Sequence, residues 1–380
     1  MKPRLQEFLL YFLRLGTFGF GGPIALAGRM QEDLVERRGW ISAQQYKEGL
    51  ALSQLAPGPL AAQLATYLGW VRGGVRAATL VKVAFVAPSF LMVLALSELY
   101  VRFGGLPWMQ GVFYGIGAAV IAIIARSVLK LVRMTLARDR LLWALFGVSG
   151  FVTAWTETEI VWLFLLCGVV PLLVRERQRV TATPALALFP VAPTLVPSLA
   201  SSASAAVLWK ILAYFTGAGL FVFGSGLAIV PFLYGGVVRQ FHWLTERQFI
   251  DAVAVSMITP GPVVITVAFI GYLVAGPAGA TLAAIGVFLP PYLEVVLFAP
   301  YFHRVAKNRR VKAFVDGVTA AATGAIAGAA VVLGRRSIVD VPTILIAVAT
   351  LTLLLLPRKI PEPVLILAAG LVGFALKGTA

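Results

Sequence analysis

Two stretches of this chain repeat each other about 200 residues apart, and each carries Pro-Gly-Pro inside an apolar run. The first copy reads Phe20-Gly21-Gly22-Pro23, then Gly39-Trp40-Ile41-Ser42, then Ala56-Pro57-Gly58-Pro59. The second reads Phe223-Gly224-Ser225-Gly226, then His242-Trp243-Leu244-Thr245, then Thr259-Pro260-Gly261-Pro262. The offset is 203 residues up to the Pro-Gly-Pro. It becomes 202 beyond, where Gly69-Trp70 aligns with Gly271-Tyr272 and Pro88 with Pro290. Matched interruptions in corresponding hydrophobic segments point to a site at the membrane midplane of a secondary transporter.

The composition demands a bilayer. Hydrophobic residues make up 59% of the chain, charged residues 13%, and mean hydropathy is +0.90; a soluble domain carries about 25% charged residues. Apolar runs long enough to cross a hydrocarbon core recur along the whole length. The expected fold is an all-α integral membrane protein, a polytopic helical bundle of 12–13 spans built from two homologous repeats with broken helices. Candidate spans are 8–28, 43–70, 77–100, 108–127, 141–156 and 159–174, then 206–232, 246–274, 278–302, 313–334, 341–356 and 361–377. Residues 1–179 form an N-terminal repeat and 206–380 a C-terminal one. Between them, 180–205 (Pro184, Pro190, Pro193, Pro197) is a linker or an extra span. The first apolar run reads as a retained span, not a removable signal peptide.

The net charge of +16 is read as basic loops at the cytoplasmic face rather than as a nucleic-acid surface. Lys and Arg gather on one side of the spans in the first half and on the other side in the second, which favours oppositely oriented halves. That arrangement needs 183–199 to cross the membrane. With one cysteine and two histidines, a disulfide is excluded and a histidine metal site has too few ligands. No nucleotide or nucleophile motif is present, so neither a cofactor nor an enzymatic activity is expected.

The breaks carry the chemistry. Pro57 and Pro59 remove the donors that would pair with the Ser53 and Leu55 carbonyls; Pro260 and Pro262 do the same to Ser256 and Ile258. Pro59 and Pro262 suit the first turn of a new helix. The amides of Leu60, Ala61 and Ala62, and of Val263, Val264 and Ile265, are then unpaired and able to bind an anion. The glycines at Gly21, Gly22, Gly224 and Gly226, around Ser225, allow a second close backbone approach. Ionisable residues within apolar runs tend to face a cavity or a partner. Arg14 and Lys82 are candidates to face an anion. Glu48, Asp251 and Glu294 are candidates for proton coupling, although helix N-terminal charge complementarity also explains Glu48 and Asp251. In Ser42-Ala43-Gln44-Gln45 and Thr245-Glu246-Arg247-Gln248, the spacing predicts a capping box at a helix start.

Taken together, Phe20-Gly21-Gly22-Pro23, Trp40-Ile41-Ser42 and Leu55-Ala56-Pro57-Gly58-Pro59, each echoed in the second half, resemble the chromate ion transporter family in its long two-domain form. The resemblance implies efflux of chromate across the cytoplasmic (inner) membrane, driven by the proton gradient, and 13 spans with opposed halves. Ser225-Gly226 stands where the first copy has Gly22-Pro23, a departure from equal roles for the halves. The expected mechanism places the tetrahedral dianion between the two Pro-Gly-Pro breaks, with one repeat rocking against the other. A homodimer is allowed. Two alternatives stand: a carrier taking up sulfate or another oxyanion, and a non-transporting scaffold or subunit whose glycines serve packing.

Overall fold

A computed structural model describes residues 4–20, 22–103, 107–136, 139–157, 161–177, 203–220, 229–301, 309–356 and 360–377. All regular structure among them is helical. The first half comprises α1 (Leu5–Phe18), α2 (Gly22–Met30) running into a π-helical turn (Gln31–Arg37), α3 (Ala43–Leu55), α4 (Leu60–Phe103), α5 (Pro107–Thr135), α6 (Arg140–Thr156) and α7 (Val161–Arg177). The second half comprises α8 (Ala203–Leu220), α9 (Ile229–Leu233) with its π-helical turn (Tyr234–Gln240), α10 (Glu246–Ile258), α11 (Thr266–Phe298), α12 (Arg309–Ser337), α13 (Val341–Leu355) and α14 (Glu362–Lys377). A single-turn 3-10 helix, Val263–Ile265, leads into α11.

The chain reverses at each interruption of the first half instead of running straight through it. The Tyr11 hydroxyl donates to the Arg29 carbonyl at 3.4 Å, which folds α2 back on α1. A Cβ on Gly49 would meet the Tyr67 ring, and the Tyr67 hydroxyl donates to Glu48 at 3.3 Å, so α3 and the start of α4 form a second hairpin with Pro-Gly-Pro at its tip. The segments 8–28 and 43–70 are therefore paired half-length helices. A helix of about 13 residues rises only about 20 Å, so each hairpin reaches part-way into a bilayer. Further turns at Gly73-Gly74 and at Ala275-Gly276 split α4 and α11 into a short limb and a long one. Gly74 and Gly276 have nearly identical dihedrals (φ 66 and 61°, ψ −155 and −154°).

The repeat extends to individual bonds. Tyr214 donates to the Phe232 carbonyl at 2.8 Å, 203 residues after the Tyr11–Arg29 bond. Trp40 and Trp243 donate to the carbonyls of Leu34 and Val237, both at 2.8 Å. The expected capping boxes form, with Ser42 accepting from the Gln45 amide and Thr245 from the Gln248 amide. Gly16 and Gly219 abut the carbonyls of Phe85 and Val287.

The two long limbs run antiparallel. The hydroxyls of Thr79 and Tyr292 pair at 2.7 Å, and Lys82 Nζ donates to the Phe288 carbonyl at 2.7 Å, so the register rises in one limb as it falls in the other. The short limbs approach from opposite ends of α4's long limb. Gly69 packs on Ala77, Ala78 and Val81 near its start; Phe269 meets the Tyr100 ring, and Tyr272 donates to Glu98, near its end.

The last helices exchange between halves. α5 packs on α13 and α14, while α12 packs on α6 and α7. Small residues permit the approach: a Cβ on Gly115 would lie 1.9 Å from the Ala369 carbonyl oxygen, and one on the equivalent Gly317 would lie 2.1 Å from that of Cys167. With lipid on the outside, such close packing replaces the hydrophobic drive that assembles soluble bundles. Large apolar side chains face outward accordingly, among them Phe151, Trp155, Trp162 and Leu371.

Candidate functional site

Both Pro-Gly-Pro turns lie inside the protein. Gly58, Pro59, Pro260, Gly261 and Pro262 are buried and Pro57 is half-buried. The turns need glycine at their centres, with φ of 141° at Gly58 and 98° at Gly261, a region L side chains rarely adopt. Each glycine packs against the long limb of the other half at equivalent positions. A Cβ on Gly58 would lie 2.5 Å from Pro291 Cβ, and one on Gly261 2.0 Å from Ser89 Oγ. Ser89 stands halfway along the segment 75–103, so the tips meet these limbs near their middle.

The second-half tip is held by polar bonds to the first half. Ser89 Oγ donates to the Pro260 carbonyl at 2.7 Å, and the Gly261 amide donates to the Gly19 carbonyl at 2.9 Å. The Pro-Gly-Pro of one repeat thereby touches the glycine break of the other. Gly21 and the triplet Gly224, Ser225 and Gly226 lie outside the described residues. Gly22 opens α2 with φ 74° and open space where a Cβ would stand.

Beyond Pro59, α4 begins with Leu60, Ala61 and Ala62, all buried. The first tip-side bond of this helix is Gln63 N to the Pro59 carbonyl at 3.0 Å. The three preceding amides have no acceptor among the described residues, as the sequence predicted for a helix start. At the second tip Ile265 donates to Pro262, and Thr266 to Val263 and Val264, in a tighter 3-10 turn. That pairing leaves Val263 and Val264 as the open amides, one fewer than expected.

Lys82 is buried, its ammonium bonded to the Phe288 carbonyl and within 5.6 Å of the Phe288 and 5.5 Å of the Tyr292 ring centroids. Phe288, Pro291 and Glu294 follow at helical spacing on one face of α11. Lys82 thus approaches this stripe one turn from Pro291, the residue against Gly58. Glu294 lies one turn beyond; its buried Oε2 has no hydrogen-bond partner among the described residues, and its carboxylate interacts electrostatically with Lys82. Arg14, by contrast, is on the exposed side of α1, opposite the buried Phe8, Phe12 and Leu15. Glu48 and Asp251 sit at matched positions of α3 and α10 and each accepts from a tyrosine: Tyr67 of the same hairpin at 3.3 Å, and Tyr100 of the opposite half at 2.7 Å. Each lies back from its tip, about two turns before its Pro-Gly-Pro.

Three residues of this region were not picked out by sequence reasoning. Ser89 and Pro291 follow the matched Pro88 and Pro290, and that adjacency is a usable signal. Gln63, buried in the first turn of α4, has no such marker.

The sequence model of the family described as Chromate transporter matches the chain twice, over residues 6–172 and 209–374. The chain belongs to the chromate transporter family. It is 58% identical over 370 residues to the chromate transport protein of Cupriavidus metallidurans, covering 97% of this chain and 92% of that one. It is 53% identical over 380 residues to the probable chromate transport protein of Synechococcus elongatus (97% and 95% covered). To the chromate transport protein of Pseudomonas aeruginosa it is 33% identical over 383 residues (96% and 90% covered). No solved structure matches the chain. Chromate transport across a membrane by a multi-pass helical protein follows from this membership, and the two matches fall on the two structural repeats.

Proposed function

We propose that this protein exports chromate across the inner membrane by alternating access, binding the oxyanion at the Pro-Gly-Pro tips and coupling its movement to protons. The observation that carries the reading is the buried start of α4. An unpaired buried amide costs about 1–3 kcal/mol, and three lie side by side at Leu60, Ala61 and Ala62. A tetrahedral anion satisfies them together and meets the positive end of the helix dipole. Lys82 donates to the Phe288 carbonyl, one helical turn from the Pro291 that packs on Gly58, and supplies the formal charge that a dehydrated anion requires. Glu48, Asp251 and Glu294 are the carboxylates through which protons exchange.

Opposed orientation of the halves is supported by the antiparallel long limbs and by hairpins approaching from opposite ends. Repeats inverted in this way place equivalent tips at a common depth. The exchange of α5–α7 and α12–α14 between halves changes the expected motion. One repeat cannot rock as a body against the other while its last two helices are packed on its partner. The moving parts are instead the hairpins and long limbs, working against a shared frame.

The tip donors fit sulfate as well as chromate, so flux must separate them. In proteoliposomes, chromate movement against a pH gradient should exceed that through protein-free vesicles by at least tenfold, and sulfate should compete less well than unlabelled chromate. Chromate moving no faster than through empty vesicles refutes transport. Movement indifferent to the pH gradient refutes proton coupling alone.

A further inference from the structure

Gln63 is fully buried, and its carboxamide lies over the first-half tip: a Cβ on Gly58 would come within 2.5 Å of its Nε2. Nε2 donates to the Pro57 carbonyl at 2.6 Å. Reversing the amide would set two acceptors against each other at that distance, so the orientation is fixed by its partner. The free end is Oε1, an acceptor with no donor among the described residues. At the offset of 202 that holds beyond the Pro-Gly-Pro the second half has Ile265, with no polar side chain, and the hydroxyl of the neighbouring Thr266 is satisfied by the Val263 carbonyl at 2.7 Å. The orphan acceptor belongs to the first half alone.

We propose that Gln63 selects an oxyanion that still carries one proton, hydrogen chromate in preference to the chromate dianion. The cargo's O–H donates to Oε1, and its charged oxygens take the amides of Leu60, Ala61 and Ala62. This inference rests on the reading of the first-half tip as the oxyanion site. A fully deprotonated dianion has only acceptors, and any of its oxygens placed against Oε1 is repelled. Charge points the same way. Lys82 is the buried basic side chain among the described residues, and Glu294 already interacts with its charge, which leaves too little to balance a dianion. The cost of desolvating an ion rises with the square of its charge. Chromate takes up a proton near neutral pH, whereas sulfate and selenate do so only in strong acid. The acceptor therefore distinguishes ions of nearly equal size.

The titratable groups turned inward on the elements around this tip are Glu48 and Tyr67 of its own hairpin, Lys82 on α4, Asp251 on α10 and Glu294 on α11; none of them hydrogen-bonds Gln63. Their titration acts on every anion alike, so the informative quantity is a ratio. Chromate and selenate flux are measured with the wild-type protein in proteoliposomes, at matched pH on both sides, across the range in which hydrogen chromate deprotonates. The chromate-to-selenate ratio is expected to fall in step with the hydrogen chromate fraction as pH rises. Gln63→Met, similar in length and without the acceptor, should lower that ratio about tenfold at the acid end, the value of one hydrogen bond, and flatten its pH profile. A ratio constant with pH in the wild type, or selenate carried as fast as chromate, overturns the assignment of Gln63 and leaves transport standing. Absence of flux for both anions removes the transport reading, and this inference with it.

Discussion

Replacing Gly261 by alanine tests the geometry of the tips through two separable costs. The backbone at φ 98° is unfavourable for any residue with a Cβ, by about 1–2 kcal/mol. The added methyl would also lie 2.0 Å from Ser89 Oγ, so Ser89 must turn away and give up its bond to the Pro260 carbonyl. Losing a buried hydrogen bond in this manner costs about 1–3 kcal/mol. Gly261→Ala is thus expected to destabilise by about 2–5 kcal/mol, measured by thermal unfolding in detergent, and to abolish flux. Ser89→Ala alone should cost about 1–2 kcal/mol for its hydroxyl. The double variant should be milder than the two single costs combined, because the clash is removed once, with a coupling of about 1–2 kcal/mol. Gly28→Ala, in α2 with open space around the new methyl, is the control and should be neutral or slightly stabilising. Unfolding of Gly261→Ala like that of Gly28→Ala, or additive Gly261 and Ser89 effects, would contradict this geometry of the tips.

Lys82→Met should reduce chromate flux more than tenfold and, because it leaves the buried Glu294 without the cation that interacts with it, should also destabilise by about 3–5 kcal/mol; adding Glu294→Gln should recover stability without flux, and recovery of both together would assign Lys82 a structural role. Glu157 ends α6 in the left-handed region at φ 53° and holds Arg336 at 2.7 Å as well as Arg239. Glu157→Gly relieves the backbone while losing the pairs, so it should be less destabilising than Glu157→Gln, and the reverse order in thermal unfolding would contradict this reading of the turn. In the loop before α13, the Tyr114 hydroxyl, with Thr343 and Lys377, holds the Asp340 carboxyl down to about 2. Its contribution to stability is full above the ordinary carboxylate range and is lost as pH falls toward 2. Asp340→Asn should therefore remove part of the acid sensitivity of unfolding, and an unchanged acid limb would show that the bond contributes nothing.

Much of this architecture was readable from spacing alone. The Pro-Gly-Pro pairs, the capping boxes at Ser42 and Thr245 and the one-residue slip before Gly69 and Gly271 are local chemistry, and each has its structural counterpart. Chain reversal at the breaks was not readable. A helix crossing and a helix folding back have the same composition at 43–70, and only the meeting of Gly49 with Tyr67 decides between them. The exchange of the last helices was hidden for a related reason: Gly115 and Gly317 mark a close approach without naming the partner. At the site, Lys82 was recognisable as a charge deep in an apolar run, and the structure buries it. Arg14 gave the same signal, but helical phase turns it outward, opposite Phe8 and Phe12. Gln63 escaped notice because a neutral amide one turn into a helix resembles any other, and only its missing partner reveals it.

The location of the oxyanion is tested most directly at the tip itself. In a background where the single native cysteine is removed by Cys167→Ala, Ala61→Cys places a thiol among the open amides. Its reaction with a small water-soluble thiol reagent is followed in membranes with and without chromate. Slow labelling that chromate suppresses, at concentrations that saturate transport, is the predicted result. Labelling that chromate leaves untouched, in a protein that still carries the ion, would place the binding site elsewhere.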